Sequence, residues 1–132
     1  ERKCLGNFTD KNDESEEEIS DYKTIRIDDI EELNNCEEGQ LKFIKIDIDG
    51  PEYDCLMGAR NTIRRHKPFV LVEVSEFTYK KFNYNIEMVF KFFKIIDYEY
   101  KLFGLKNVIN ETQFKELMSS GNHADVLFYP KQ

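Results

Sequence analysis

The sequence contains no tryptophan, only three prolines and six glycines, and three cysteines, and the shortages are informative. Cys4, Cys36 and Cys55 are far apart, with no C-x-x-C pair and no Cys/His cluster. Neither a zinc site nor a disulfide framework is supported by that spacing. The pattern reads instead as free thiols in a reducing compartment. No apolar run approaches ~18 residues, so no segment reads as a membrane span. Positive charge is also short: 19 Lys and Arg against 26 Asp and Glu give a net charge of −7. Affinity for nucleic acid rests on cations neutralising phosphates, so a nucleic-acid partner is disfavoured. The one basic patch, Arg64 to Lys67, reads as the charged end of a helix.

No signal-like segment opens the chain, and it begins on Glu1 without Met, which suggests a piece of something longer. The thiols favour the cytoplasm, while two N-x-[ST] sequons, at Asn7 and Asn110, keep the secretory pathway open.

What is present suits a globular protein. With 132 residues, 40% of them hydrophobic and 11 of them Phe, there is material for one core and too little for two domains. Residues 1–22 read as an acidic loop or linker, because the dense like charges of Lys11 to Asp21 repel and bury nothing. Residues 23–132 form the domain. Ile25 and Ile27 alternate as in a short half-buried strand, after which Asp28 or Asp29 caps a brief helix through Leu33. "FIKIDI" from Phe43 alternates as a strand. Pro51 then suits the first position of a helix, whose apolar stripe is Cys55, Leu56, Ala59 and Ile63. Gly58 inside that helix points to close packing against a sheet. "FVLVEV" is apolar on both sides, as in the middle of a parallel sheet covered on both faces. A second amphipathic helix spans about Ile86 to Ile96, and "YEYKLFG" is a strand. "NETQFKELMSSG" is a helix with Asn110 as N-cap, Gln113 in the capping-box position and Gly121 as the stop. "ADVLFYP" is the last strand. The expected class is α/β, with a mainly parallel sheet, flanking helices and right-handed crossovers.

In such a sheet, ligands bind outside the carboxyl ends of the strands. Lys45, Asp47 and Asp49 share one side of the first strand, and Glu73 ends the next, with Glu76 just beyond. If the strands are neighbours, Asp47, Asp49 and Glu73 converge on one crevice as candidate catalytic residues. The competing interpretation is structural: Lys45 pairs with Asp47 or Glu73, and Asp49 only caps the helix. A hard cation could sit among these oxygens, but no neutral ligand is visible, and no metal is assigned.

Two short motifs compete here. "IDIDG" is similar to the first motif of haloacid-dehalogenase-like phosphatases, with Pro51 in place of the usual Thr or Val and no later acidic pair. D-x-D alone also occurs in glycosyltransferases. The longer stretch from Phe43 to Val74 resembles the FkbM family of S-adenosylmethionine-dependent methyltransferases. Lys45, Ile46, Asp47, Gly50, Glu52, Leu56, Gly58, Ala59, Pro68, Glu73 and Val74 fall in step with the family's pattern. One departure is Asp49, where the family usually has Glu. The resemblance extends over about Lys23 to Pro130.

That resemblance implies a Rossmann-like methyltransferase fold and an O-methyltransferase acting on a hydroxyl of a sugar, polyketide or similar product. It implies S-adenosylmethionine as cofactor, and a small-molecule or glycan substrate. The family's Gly-rich cofactor turn has no counterpart in the chain, so the first strands are expected to be missing and the cofactor-binding residues are unassigned. On this view the isolated chain is inactive. Its exposed sheet edge needs cover from the acidic segment, a partner chain or a missing amino-terminal half. The alternative from another class is a non-catalytic α/β remnant that binds a partner.

Overall fold

Four β-branched and aromatic stretches pair into one sheet: β1 (Phe43–Ile46), β2 (Phe69–Val74), β3 (Tyr98–Phe103) and β4 (Ala124–Pro130). The structure is a computed structural model that describes residues 23–132. Cys4, the Asn7 sequon and the acidic stretch from Lys11 to Asp21 lie outside the described residues. The strand order is β1-β2-β4-β3. β1 and β2 are parallel, with Ile46 opposite Val72, while β4 runs antiparallel to both β2 and β3. The sheet is therefore mixed, and the expectation of a mainly parallel one is corrected. β1, β2 and β3 still share one direction, because β3 and β2 both oppose β4. Insertion of β4 between them places Val126 and Phe128 in the middle of the sheet, where both are buried. At an edge those side chains would keep their solvent contact.

Among the described residues, only one face of the sheet is covered. Val70, Val72, Val74, Leu102, Val126 and Phe128 share that face and belong to the hydrophobic core. The helices supply the opposing layer. In α5 (Ile86–Ile95), Val89 and Phe93 are buried, and the Phe93 ring stacks on Phe128 with centroids 3.8 Å apart. Each fully buried ring of this size stabilises the fold by roughly 2–3 kcal/mol. The alternate residues Phe43, Phe69, Leu71, Leu127 and Tyr129 lie on the other face and outside the core cluster. Phe43 is 51% exposed and Phe69 49%. Full cover of β2 on both faces is thus not observed among the described residues.

The region before β1 also differs from expectation. Ile25 is exposed and Ile27–Asp29 form a 3-10 turn, followed by α1 (Glu31–Asn35). Neither Asp28 nor Asp29 caps α1. The Asp28 carboxylate instead accepts from Asn61 N, Thr62 N and Thr62 Oγ1, at 3.2, 2.8 and 2.9 Å. Those two amides would otherwise bond back along a continuous helix. With them taken, the expected single helix is two, α2 (Glu52–Gly58) and α3 (Arg60–His66), joined at Ala59. Gly58 faces Arg26, whose Cβ would lie 3.6 Å from an added methyl, so its close neighbour is the segment before the 3-10 turn rather than the sheet. Pro51 is the N-cap of α2, one position before the expected one.

Two shorter helices complete the chain, α4 (Glu76–Lys80) and α6 (Glu111–Ser119). The capping box of α6 forms as read, with Asn110 and Gln113 exchanging side-chain bonds of 2.9 Å. Gly121 follows the helix at φ +78°.

Candidate active site

β1 ends at Ile46, opposite Val72, so the next residues along, Asp47 and Glu73, stand at neighbouring strand ends. Asp49 joins them: one carboxylate oxygen from each of Asp47, Asp49 and Glu73 lies within 4.8 Å of the others. Glu76 does not belong to this group; it is exposed in the first turn of α4. The acids crowd the open side of the sheet, since Glu73 alternates with the buried Val72 and Val74.

Lys45 takes the role of local counter-charge. Its Nζ is 3.0 Å from Asp47 Oδ2, and the contact with Asp47 pushes its own pKa upward. Both partners are substantially exposed, so the pair contributes little stability. Glu73 is more enclosed, with 17% of its side chain exposed. Burial, and next the negative charge of Asp47, push its carboxyl up to about 7. His123 Nε2, 3.6 Å from Glu73 Oε1, pulls the other way. Asp125 is the direct partner of Glu73 across the β2–β4 ladder. His123 and Asp125 were not anticipated, because only the insertion of β4 beside β2 brings them here.

The turn that carries Asp49 is held in place by buried groups. Asp49 has φ +59° and Gly50 φ +134°, regions that L-residues rarely adopt. A side chain on Gly50 would collide with the Phe82 ring and crowd the Thr78 carbonyl oxygen. Glu52, 1% exposed, accepts from Ile48 N at 3.1 Å and Gly50 N at 2.9 Å. Burial raises its carboxyl above the usual range, against the opposite pull of those amides. On the second strand, the buried Tyr79 hydroxyl donates to the Glu73 carbonyl oxygen at 2.8 Å. Asp49 makes no cap for α2, so the helix-capping alternative does not account for it. The ion-pair alternative accounts for Lys45 and Asp47 but leaves Asp49 without a cation among the described residues.

Chemically, a carboxyl that titrates near neutrality beside one paired with lysine can exchange protons with a bound hydroxyl. The spacing of the three acids is also one that a hard divalent cation could bridge. A groove of about 980 Å³ lies elsewhere, between α5, β3 and α6. Its walls are mostly apolar, with Phe90, Phe93, Tyr98 and Phe114 among them, and no acid cluster faces it.

The Methyltransferase FkbM domain matches residues 5–102, which is most of the chain. The chain belongs to this family. The match covers β1, β2, the acids at their ends and most of β3, and leaves α6 and β4 beyond it. No curated protein and no solved structure matched the chain. Within this FkbM domain the described helices include none long and apolar enough to cross a membrane.

Proposed function

We propose that the chain carries the acidic half of a methyl-transfer site, in an S-adenosylmethionine-dependent O-methyltransferase acting on a hydroxyl of a sugar or similar natural product. The observation that carries this is the meeting of Asp47, Asp49 and Glu73 at adjacent strand ends in an FkbM domain. When bound, the cofactor supplies an electrophilic methyl on a positively charged sulfonium. An exposed wall of three carboxylates suits a cation of that kind. Asp47, paired with Lys45, orients the substrate hydroxyl. Glu73 would accept the hydroxyl's proton as that oxygen takes the methyl group. His123 is placed to pass that proton to solvent.

The Rossmann-like fold and the half-domain belong to the same proposal. The shared direction of β1, β2 and β3 and the helical crossovers support the first. The second is supported by the bare face of the sheet, with Phe43 and Phe69 half exposed. No Gly-rich strand–turn–helix occurs in residues 23–132, so the adenosine cradle is assigned to further polypeptide or to a partner chain.

Transfer of a labelled methyl group to a panel of sugar hydroxyls tests this, with the chain alone and joined to its natural upstream sequence. Transfer is expected from the longer protein; Glu73→Gln, which removes the proton acceptor, should lower it by ~10²–10⁴, and Asp47→Asn should lower it as well. Unchanged turnover in a stably folded Asp47→Asn protein would sink the site assignment. The missing cradle favours a second reading, a non-catalytic partner-binding module. A longer protein that binds no cofactor would establish it.

A further inference from the structure

We propose that Glu52 is the positioning residue of this site: its buried carboxylate holds the turn from Ile48 to Gly50, and through it the Asp47 and Asp49 side chains, against Glu73. What these positions serve rests on the methyl-transfer reading; the positioning itself rests on geometry.

A glutamate in the first turn of a helix ordinarily favours the positive end of the dipole from solvent. Glu52 is instead turned inward and buried, and among the described residues no Lys or Arg pairs with it. A buried carboxylate without a cation is costly and persists only where hydrogen bonds compensate. Here each oxygen has its own task, Oε1 accepting from Ile48 N and Oε2 from Gly50 N. An amide in its place would set an N–H against an N–H at one of the two.

The turn cannot be expected to hold itself. With Asp49 at φ +59° and Gly50 at φ +134°, a released chain relaxes toward ordinary dihedrals and swings the Asp49 carboxylate away. On one side Glu52 grips the two amides, and on the other Phe82 and the Thr78 carbonyl press on Gly50. Tyr79 fixes the facing strand through the Glu73 carbonyl. The separation of the acids is thus set from beneath, by groups that do not touch the open face. Glu73 therefore reports on the turn. The charged groups around it are Asp47 and Asp49 from the turn, Lys45 from β1, and His123 and Asp125 from the β4 side.

The test is carbon-detected NMR titration of the 132-residue chain, which needs no methyl transfer. In the native chain Glu73 is expected to titrate near 7. In Glu52→Gln its midpoint should fall measurably as Asp47 and Asp49 move off, the part of the rise that burial causes remaining. A folded Glu52→Gln protein with the Glu73 midpoint unchanged would overturn the proposal, however much stability it had lost. A second measurement uses the native chain alone, for the case in which the variant does not fold. The Ile48 and Gly50 amide protons should shift together as the Glu52 carboxyl titrates. Amides that ignore it would overturn the proposal equally. Full turnover in a folded Asp47→Asn protein would overturn the methyl-transfer site but would not alter either NMR result on Glu52.

Discussion

His123 Nε2 lies 3.6 Å from Glu73 Oε1, although the two residues stand 50 positions apart in the sequence. The contact exists because β4 enters the sheet beside β2. It sets a cation-forming group against an acid that binds its proton unusually tightly.

Stability should accordingly depend on pH with a definite sign. Glu73 is raised from an ordinary 4.5 to about 7 in the folded chain. Between those values the folded state holds more protons than the unfolded one, so stability from this group is full below about 4.5 and lost as pH rises through 7. Thermal melts of native and Glu73→Gln chains between pH 4 and 8 check this. The native chain should lose melting temperature, relative to Glu73→Gln, as the pH rises. If Glu73 is the proton acceptor of the proposed methyl transfer, that activity should increase as pH rises through about 7.

Asp28→Ala should destabilise the domain by ~1–2 kcal/mol, the usual cost of a lost helix cap. Asp28→Asn, which keeps one acceptor oxygen, should cost less. Urea denaturation of the three proteins gives the order; equal midpoints would show that Asp28 does not support α3.

Gly50→Ala combines two penalties. A left-handed residue costs ~1–3 kcal/mol of strain, and an overpacked side chain a similar amount. Denaturant unfolding should show a loss of roughly 3 kcal/mol, together with line broadening of the Phe82 ring resonances.

The aromatic row on the open face should govern solution behaviour. Phe43 lies opposite Phe69, and the Phe69 and Tyr129 rings are 6.2 Å apart. The isolated chain should self-associate with rising concentration and bind an apolar dye. Phe43→Lys combined with Phe69→Lys should abolish both, by size-exclusion chromatography and dye fluorescence. A native chain that stays monomeric and dark would show that this face needs no cover.

Alternation in "FIKIDI" and the continuous apolar run "FVLVEV" made the first two strands legible, and the Asn110–Gln113 spacing gave the start of α6. These signals are local, written in neighbouring side chains. Strand direction is not: alternation in "ADVLFYP" is the same read forwards or backwards, so the antiparallel entry of β4 was hidden. The break at Ala59 was hidden for a related reason, since Asp28 takes the Asn61 and Thr62 amides from more than thirty positions away. The alternating Ile25 and Ile27 misled, because a strand needs a partner and none adjoins them among the described residues. At the site, Asp47, Asp49 and Glu73 stood out as charges in apolar surroundings. Glu52 fell in step with the family's pattern but nothing in the sequence gave it a role, and His123 and Asp125 had no visible neighbour.

The position of β4 also bears on how the chain is made. It pairs with β2 on one side and β3 on the other, so the sheet has a gap in its middle until residues 124–130 are available. During synthesis, β1 and β2 emerge early with their apolar residues exposed, and must wait for the strand that joins them to β3. Pairings between distant segments are slow to form, and the interval leaves open edges for unwanted partners. A nascent chain stopped short of β4 is therefore an expected client for chaperones that shield unpaired strands.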